Sequence, residues 1–373
     1  MQTNDLPIAV RMFQGSWFRR DDLVLELTPT EIDFIVATLG TNPKKWDGNC
    51  QPDVATMKAM LKAHPNVLDR IGTGLLKVCI PFPGSGPAVR LLLEQQIELD
   101  ADPNEYNILH EAAHSGAADS VKVVFESGLA DAACVSVEKP HTGWPSNLSL
   151  LYWAAWGGYP EFARVCVEHG ATVHLELEIK GNGERGSTAL QESLAPSLWS
   201  EDHVRTIGKH QVADVLLEAG AYYDTFSACA RNDLKRLREL IRQDLALAST
   251  PDSYGSTPLH WAARADGLDC VNELLRLGVE LDVLNRSKRT AVQWAAEQNC
   301  AASIELLAKA GADLDTSDGK GRTPLHRATY EGQVAAIEAL LGCGADITLV
   351  NNKGKTAFEI ARKDARHYRK MGI

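Results

Sequence analysis

The heptapeptide Thr-Pro-Leu-His-Trp-Ala-Ala at residues 257–263 is the strongest indication of the fold, because related peptides return downstream at a constant interval. Thr-Ala-Val-Gln-Trp-Ala-Ala occupies residues 290–296, Thr-Pro-Leu-His-Arg-Ala-Thr occupies residues 323–329, and Thr-Ala-Phe-Glu begins at residue 356. The interval is 33 residues each time. A fixed period of this size indicates a stacked-repeat protein, in which each unit buries its apolar side against its neighbours.

The segment from Asp252 to Glu280 shows how each repeat is built. Its turn-forming residues at 252–255 predict the tip of a hairpin. Thr257 and Pro258 are typical of a helix N-cap and of the first helical position. Apolar residues at helical spacing then predict two helices, the first with Leu259, Ala262 and Ala263 and the second with Val271, Leu274 and Leu275. Gly278 predicts the end of the second helix.

This pattern resembles the ankyrin repeat family, whose signature T-P-L-H-x-A-A is followed by V-x-x-L-L-x-x-G-A. The resemblance covers roughly residues 53–373. It implies a mainly α fold, an ankyrin-repeat α-solenoid with short β-hairpin fingers at a right angle to paired antiparallel helices. It also implies a concave face and finger tips that bind other macromolecules.

The repeats upstream of residue 224 are less regular. Signature-like peptides lie at 107–113, 149–155 and 188–192. Their spacing predicts two lengthened fingers, at 129–148 and 171–187, and an extra loop near 195–208. The G-x-G-x-x-G pattern at 181–186 falls in the second of these fingers and predicts a finger-tip turn rather than a dinucleotide site.

Three regions follow from these irregularities. Residues 1–52 carry no repeat signature and predict an N-terminal cap that seals the first repeat. Residues 53–223 form a first ankyrin block with lengthened fingers and an insertion. Residues 224–373 form a second block with regular 33-residue repeats and a C-terminal cap, because Asp224 begins a helix with no finger before it. The two blocks together hold about eight or nine repeats.

Composition narrows the class of protein and its setting. The 373 residues are 45% hydrophobic and 23% charged, and the formal net charge of −11 argues against binding to nucleic acid or an anionic membrane surface. No secretory signal is visible in residues 1–7, and no apolar run is long enough to span a bilayer. Four of the eight singly spaced cysteines fall in or beside predicted helices: Cys166, Cys229, Cys270 and Cys300. We therefore expect a reducing, cytoplasmic setting and a monomer whose partner is another protein.

The most tempting chemical motif is His110-Glu111-Ala112-Ala113-His114, which fits the zinc pattern H-E-x-x-H. The repeat explains it better, because His110 is the signature histidine and the two alanines are packing residues. No third ligand is evident in the sequence. We expect no metal, no cofactor and no catalytic residues.

The residues that precede and follow the Ala-Ala pair face the concave groove in the family, and here many are aromatic or charged. The resemblance therefore implies a partner-binding set, to which we add Trp144 because it lies in the lengthened finger next to Trp153 and Trp156. The set is Trp144, Trp153, Trp156, Trp261, Arg264, Trp294, Glu297, Arg327 and Tyr330. Trp and Arg are frequent interface anchors. For Trp261 and Trp294 an alternative interpretation is that they only pack neighbouring helices.

The finger tips of the second block are basic. The cations are Arg286, Lys288, Arg289, Lys320, Arg322, Lys353 and Lys355. On an acidic chain they form a stripe suited to an acidic partner surface. The alternative interpretation is that they are ordinary solvated turns.

These patterns favour a protein–protein interaction scaffold or adaptor that binds through the concave face and finger tips. An alternative is an enzyme that has recruited the ankyrin frame, with a pocket formed by residues 129–208. Its acid–base groups would be His141, His174, Glu176, Glu192 and His203. A further alternative is a secreted effector or inhibitor that acts by binding.

Overall fold

The computed structural model describes residues 27–39, 51–69, 71–97, 108–130, 149–173, 176–179, 184–194 and 203–362. Helices dominate these ranges. The chain divides into two compact units. The first unit comprises Met1–Ser193 and Glu201–Ala221, and the second comprises Leu194–Ser200 and Tyr222–Ile373.

The first unit contains paired helices and one strand pair. Its elements in order are α1 (Pro29–Leu39), α2 (Val54–Ala63), a 3-10 turn (Pro65–Leu68), α3 (Gly72–Cys79), α4 (Gly86–Glu94), α5 (Ile108–Ser115), α6 (Ala118–Glu126), α7 (Leu150–Gly157), α8 (Pro160–Glu168), β1 (Glu176–Ile179), β2 (Glu184–Thr188), α9 (Ala189–Leu194) and α10 (His203–Glu218). First helices pack on first helices, as α5 does on α7, and second helices pack on second helices, as α6 does on α8.

The second unit repeats one helical pair. Its elements are α11 (Thr225–Ala230), α12 (Leu234–Gln243), a 3-10 turn (Leu245–Ala248), α13 (Pro258–Arg264), α14 (Leu268–Arg276), α15 (Ala291–Glu297), α16 (Ala301–Lys309), α17 (Pro324–Glu331) and α18 (Val334–Gly342), followed by a helical segment at 357–362. Helices α11, α13, α15 and α17 pack in succession, and so do α12, α14, α16 and α18.

Local chemistry starts these helices at the expected residues. Thr290 caps α15 by accepting a hydrogen bond from the Gln293 backbone, and the Gln293 side chain accepts from the Thr290 backbone in return. Thr323 and His326 form the same reciprocal capping box at the start of α17. Such boxes satisfy amides that have no partner within the helix. The repeated threonine therefore sets where each first helix begins.

The core of the second unit runs through the facing sides of these helices. Leu259 is 1% exposed, and Val292 and Leu325 occupy the equivalent buried position in the next two repeats. The paired alanines, such as Ala262 and Ala263, are completely buried, and their small size allows neighbouring helices to approach closely. Stacking of repeats therefore creates the core, since no single helical pair encloses one.

An ion pair joins second helices of adjacent repeats. The Glu273 carboxylate of α14 lies 2.8 Å from both Arg238 of α12 and Arg276 of its own helix. Hydrogen bonds from Arg276 and then Arg238 lower the pKa of Glu273 to about 2. The carboxylate therefore stays charged over the whole neutral range.

The predicted β-hairpin fingers differ between the units. In the described part of the second unit the tips at 252–256, 285–289, 318–322 and 351–355 contain no strand. Each tip is instead a turn in which the side chain of the first residue accepts the backbone amides of the third and fifth residues. In the first unit, β1 and β2 do pair antiparallel, with Glu178 opposite Arg185. Strand-built fingers are therefore not confirmed in the described part of the second unit.

The loop predicted at 195–208 is wrong for its last part, since α10 begins at His203. Gly208 explains how this helix fits. A Cβ atom at Gly208 would lie 2.1 Å from the Gly158 carbonyl oxygen at the end of α7. Only glycine allows the two backbones to approach so closely. Residues 195–202 lie outside the described ranges.

Residues 1–52 are described only at 27–39 and 51–52, so their capping role stays a prediction. Helix α1 packs against α2 and α3, and Phe34 and Ile35 are completely buried. Among the residues that the structure describes, no helix is both long and apolar enough to cross a membrane.

The four cysteines expected in helical patterns, Cys166, Cys229, Cys270 and Cys300, are all buried free thiols. Burial, together with the charge of Asp266, raises the pKa of Cys300 to about 12. This thiol therefore stays protonated and packs as a small apolar residue.

Candidate partner-binding surface

The aromatic row of the second unit begins with two tryptophans in equivalent positions of α13 and α15. Trp261 is 6% exposed, and its Nε1–H donates to Asp252 Oδ2 at 2.9 Å. Trp294 is only partly buried, and its ring meets that of Trp261 edge to face at 6.0 Å. Trp261 thus acts as a support, whereas part of the Trp294 ring reaches the surface.

Two further side chains hold the Trp294 ring. The Arg264 guanidinium lies 4.9 Å from the ring centroid, a cation–π distance, and the His260 ring meets it edge to face at 5.5 Å. Arg264 and Trp294 come from adjacent repeats, so their stack depends on repeat packing. The result is a preorganised aromatic and cationic surface.

The next repeat places different chemistry in the same two positions. Arg327 replaces tryptophan and is 3% exposed, while Tyr330 is 63% exposed. Arg327 is buried as part of a charge network, since its Nη2 lies 2.5 Å from Glu297 Oε1. Of the eight predicted binding residues that the structure describes, Tyr330 is exposed, and Trp156, Arg264, Trp294 and Glu297 are partly buried.

The charge network extends from Glu297 to the finger bases. Arg289 contacts the other Glu297 oxygen at 3.1 Å, and Arg322 contacts Asp318 at 2.7 Å. Burial, followed by the positive charge of Arg327, lowers the pKa of Arg289. The Glu297 and Asp318 carboxylates are thus both paired with arginines of the same unit.

The first unit holds a second aromatic cluster around α7. The rings of Trp153 and Trp156 meet edge to face at 5.8 Å. The His114 ring stacks on Trp156 at 5.2 Å and meets Trp153 edge-on at 5.5 Å. The sequence predicted the two tryptophans as candidates but not their contact with His114. That contact joins α5 to the next repeat, and the pattern of a single repeat does not show it. Trp144 lies outside the described residues.

The two histidines of the H-E-x-x-H motif, His110 and His114, have different surroundings. His110 is 5% exposed on α5, while His114 is exposed and stacked on the tryptophans. Among the described residues, no three His, Cys, Asp or Glu side chains are grouped closely enough to hold a metal ion. The two histidines therefore have no third ligand in that part of the chain.

Of the five acid–base groups proposed for an enzyme, only the side chain of Glu192 is described. It accepts a hydrogen bond from the Tyr152 hydroxyl at 3.1 Å and pairs with Lys209 at 3.1 Å. Lys209 is 4% exposed. A carboxylate held by a buried ammonium ties α7, α9 and α10 together. The side chains of His141, His174, Glu176 and His203 lie outside the description.

The described part of the G-x-G-x-x-G pattern, residues 184–186, lies in a strand. Its last glycine, Gly186, is within β2, which pairs antiparallel with β1. A dinucleotide site needs the pattern to follow a strand and open a helix. The arrangement favours a finger over a phosphate loop.

A family model described as ankyrin repeats, in three copies, matches residues 266–351. Residues 266–351 are thus similar to ankyrin repeats. The prediction of the family from the heptapeptides is thereby confirmed, and so is a mainly helical fold with ankyrin repeats. These ankyrin repeats coincide with the regular helical pairs α14 to α18.

Inversin proteins are similar to part of the chain. Inversin of Homo sapiens is 36% identical over 66 residues, which are 18% of this chain and 6% of that protein. Inversin of Gallus gallus is 33% identical over 69 residues, with the same shares, and that of Mus musculus is 35% identical over 80 residues, 21% of this chain and 8% of that protein. The chain thus covers less than a tenth of the length of these relatives. The similarity supports the presence of repeats and nothing further about this chain.

Proposed function

We propose that this chain is a protein-interaction repeat module whose second unit binds a partner protein through Arg264, Trp294 and Tyr330. The observation that carries the proposal is the Trp294 ring, which is held by Trp261, His260 and Arg264 yet keeps part of its surface exposed. A rigid aromatic ring loses little conformational entropy on binding, and Arg264 is already held against that ring in the free chain, so both are suited to act as anchors.

Tyr330 extends this surface into the next repeat. Its ring is 63% exposed on the first-helix side, at the position equivalent to Arg264. The Glu297–Arg327 pair lies between the two sites and keeps the first helices in place. A partner segment that runs across successive repeats would meet both aromatic anchors. Ankyrin repeats generally act in this way, as interaction repeats.

The cluster of Trp153 and Trp156 is the corresponding proposed surface of the first unit. His114 already stacks on Trp156, so a partner would add to an existing aromatic group. The ankyrin repeats favour a non-enzymatic scaffold. A monomeric state and a cytoplasmic setting stay predictions.

The test is affinity capture with the full chain from a native lysate, followed by mass spectrometry. We expect Arg264→Ala with Tyr330→Ala to reduce recovery of the specifically captured proteins roughly tenfold or more, because hot-spot anchors dominate binding energy. The matched control is Arg242→Ala with Tyr222→Ala, which removes an exposed arginine and a 64%-exposed tyrosine elsewhere in the unit. Full recovery by the first variant, or equal loss in both, would contradict the proposal.

A further inference from the structure

The four finger tips of the second unit share one rigid geometry. In each tip the fourth residue donates its amide to the first residue's carbonyl, at 2.9 Å in the first tip and 2.8 Å in the other three. Backbone bonds also join neighbours, since Arg286 N–H donates to Tyr254 O and Asn352 N–H donates to Lys320 O. Side chains on these turns are thus presented from a fixed frame, which lowers the entropy cost of binding.

Apart from Arg286, the cations of the tips fall into two groups. The first group is already paired inside the unit, since Arg289 binds Glu297 and Arg322 binds Asp318. Lys288, Lys320, Lys353 and Lys355 are exposed, and none of them pairs with a carboxylate in the described part of the chain. We call these four residues the lysine stripe. The stripe is a local positive surface on a chain whose net charge is −11.

Lys288 occupies a position at which the other three tips have glycine. Its φ is +53°, and the equivalent Gly255, Gly321 and Gly354 have φ values of +74°, +69° and +63°. A residue with a side chain is strained in this left-handed conformation. Strained residues concentrate at functional sites, so a lysine with this backbone conformation favours a role for its charge outside the fold.

We propose that the lysine stripe binds an extended segment of a partner protein that is rich in aspartate and glutamate. The proposal rests on the proposed function and adds the chemistry of the partner. Unpaired ammonium groups on successive tips match carboxylates spaced along an extended chain. A nucleic acid fits less well, because four cations are few for phosphate binding and only Tyr254 among the tip residues could stack on a base.

The experiment is fluorescence anisotropy of the full chain with a fluorescein-labelled, twelve-residue peptide of alternating Glu and Ser. The test variant is Lys320→Glu with Lys353→Glu. The matched control, Lys235→Glu with Lys309→Glu, makes the same charge change at exposed positions on α12 and α16 of the same unit. A twelve-residue peptide of alternating Gln and Ser and a twelve-nucleotide thymidine oligomer serve as further probes.

We expect the test variant to bind the Glu/Ser peptide roughly tenfold more weakly than the wild type, and the control variant to stay within about twofold. Binding should weaken as salt rises. Equal losses in both variants would overturn the proposal, because net charge alone would then account for binding. Absence of binding to the peptide, equal binding of the Gln/Ser peptide, or tighter binding of the oligonucleotide would also overturn it.

The variant Arg264→Ala with Tyr330→Ala separates this proposal from the previous one. It keeps the lysine stripe, so its affinity for the Glu/Ser peptide should match that of the wild type. Loss of the captured proteins with unchanged peptide binding supports the aromatic surface independently of the stripe. Intact capture by that variant, together with stripe-dependent peptide binding, would defeat the proposed function while retaining the stripe.

Discussion

At the scale of single residues, one position of the repeat does the same work with different chemistry. His260 accepts the Thr257 amide at Nδ1 (3.1 Å), and its Nε2–H donates to the Arg289 carbonyl of the next finger (3.0 Å). Gln293 reproduces both bonds, because its Oε1 accepts the Thr290 amide and its Nε2 donates to the Arg322 carbonyl. The position therefore requires one acceptor and one donor rather than an imidazole.

This equivalence predicts the effect of replacing His260. We expect His260→Gln to be tolerated, whereas His260→Ala should lower the free energy of unfolding at pH 7.5 by about 1–3 kcal/mol, because the Thr257 amide loses its buried acceptor. Chemical unfolding with urea measures both values. An alanine variant as stable as the wild type would contradict the role of these bonds.

Replacing His260 with glutamine should also change how the free energy of unfolding depends on pH. Burial lowers the pKa of His260, so the folded protein holds it neutral while the unfolded chain protonates near 6.5. Its contribution to stability is therefore complete above about pH 6.5 and is lost as the pH falls below that value. His260→Gln should lose less stability than the wild type between pH 7.5 and pH 5. Identical losses would show that His260 does not contribute.

At the scale of elements, each finger of the second unit is a turn that satisfies itself. Asn285, for example, accepts the amides of Ser287 and Arg289 with its side chain and that of Lys288 with its carbonyl. The fourth residue must adopt a positive φ, and Lys288 does so at a cost that glycine avoids. The fold tolerates this strain because stacking of the repeats supplies the remaining stability.

Lys288→Gly should therefore raise the free energy of unfolding by roughly 0.5–1 kcal/mol, after allowing for the greater freedom of glycine in the unfolded chain. The reciprocal change is Gly354→Ala, in the equivalent position of the last tip. A Cβ atom there would contact nothing within 4 Å, so only backbone strain is tested. We expect Gly354→Ala to lower the free energy of unfolding by about 1 kcal/mol. Thermal or chemical unfolding in which Lys288→Gly is no more stable than the wild type would refute the argument.

At the scale of the whole molecule, the described chain forms two compact units, each with its own packed interior. Within the second unit the apolar core passes without interruption from α11 to the helical segment at 357–362. In stacked repeats each unit is stabilised mainly by its neighbours. A cavity in one repeat should therefore weaken the adjoining repeats most.

Leu259→Ala tests this one-dimensional arrangement. Leu259 is 1% exposed, so the cavity should cost on the order of 2–5 kcal/mol and should raise amide exchange rates mainly in the second unit. Leu341→Ala, at a site that is 46% exposed, is the matched control and should cost less than about 1 kcal/mol. Uniformly faster exchange along the entire chain would contradict the prediction.

The sequence alone predicted the features that depend on local pattern. The 33-residue interval, the threonine caps and the apolar spacing identify the repeats and place their helices, because capping and amphipathic burial are encoded within a few residues. The candidate binding positions followed from the same register. Burial of the helix cysteines followed as well, since their positions fall on the packed sides of helices.

Which of these side chains remain exposed to a partner depends on how the repeats pack, and the sequence did not reveal it. Trp261 and Trp294 occupy identical positions in the repeat, yet the first is almost completely buried and the second is not. Arg289 and Lys288 are neighbours in the sequence, yet Glu297 neutralises only the arginine. The contact of His114 with Trp156 likewise joins two repeats. Such differences depend on packing and charge between side chains distant in sequence, and a periodic pattern assigns the same environment to every copy.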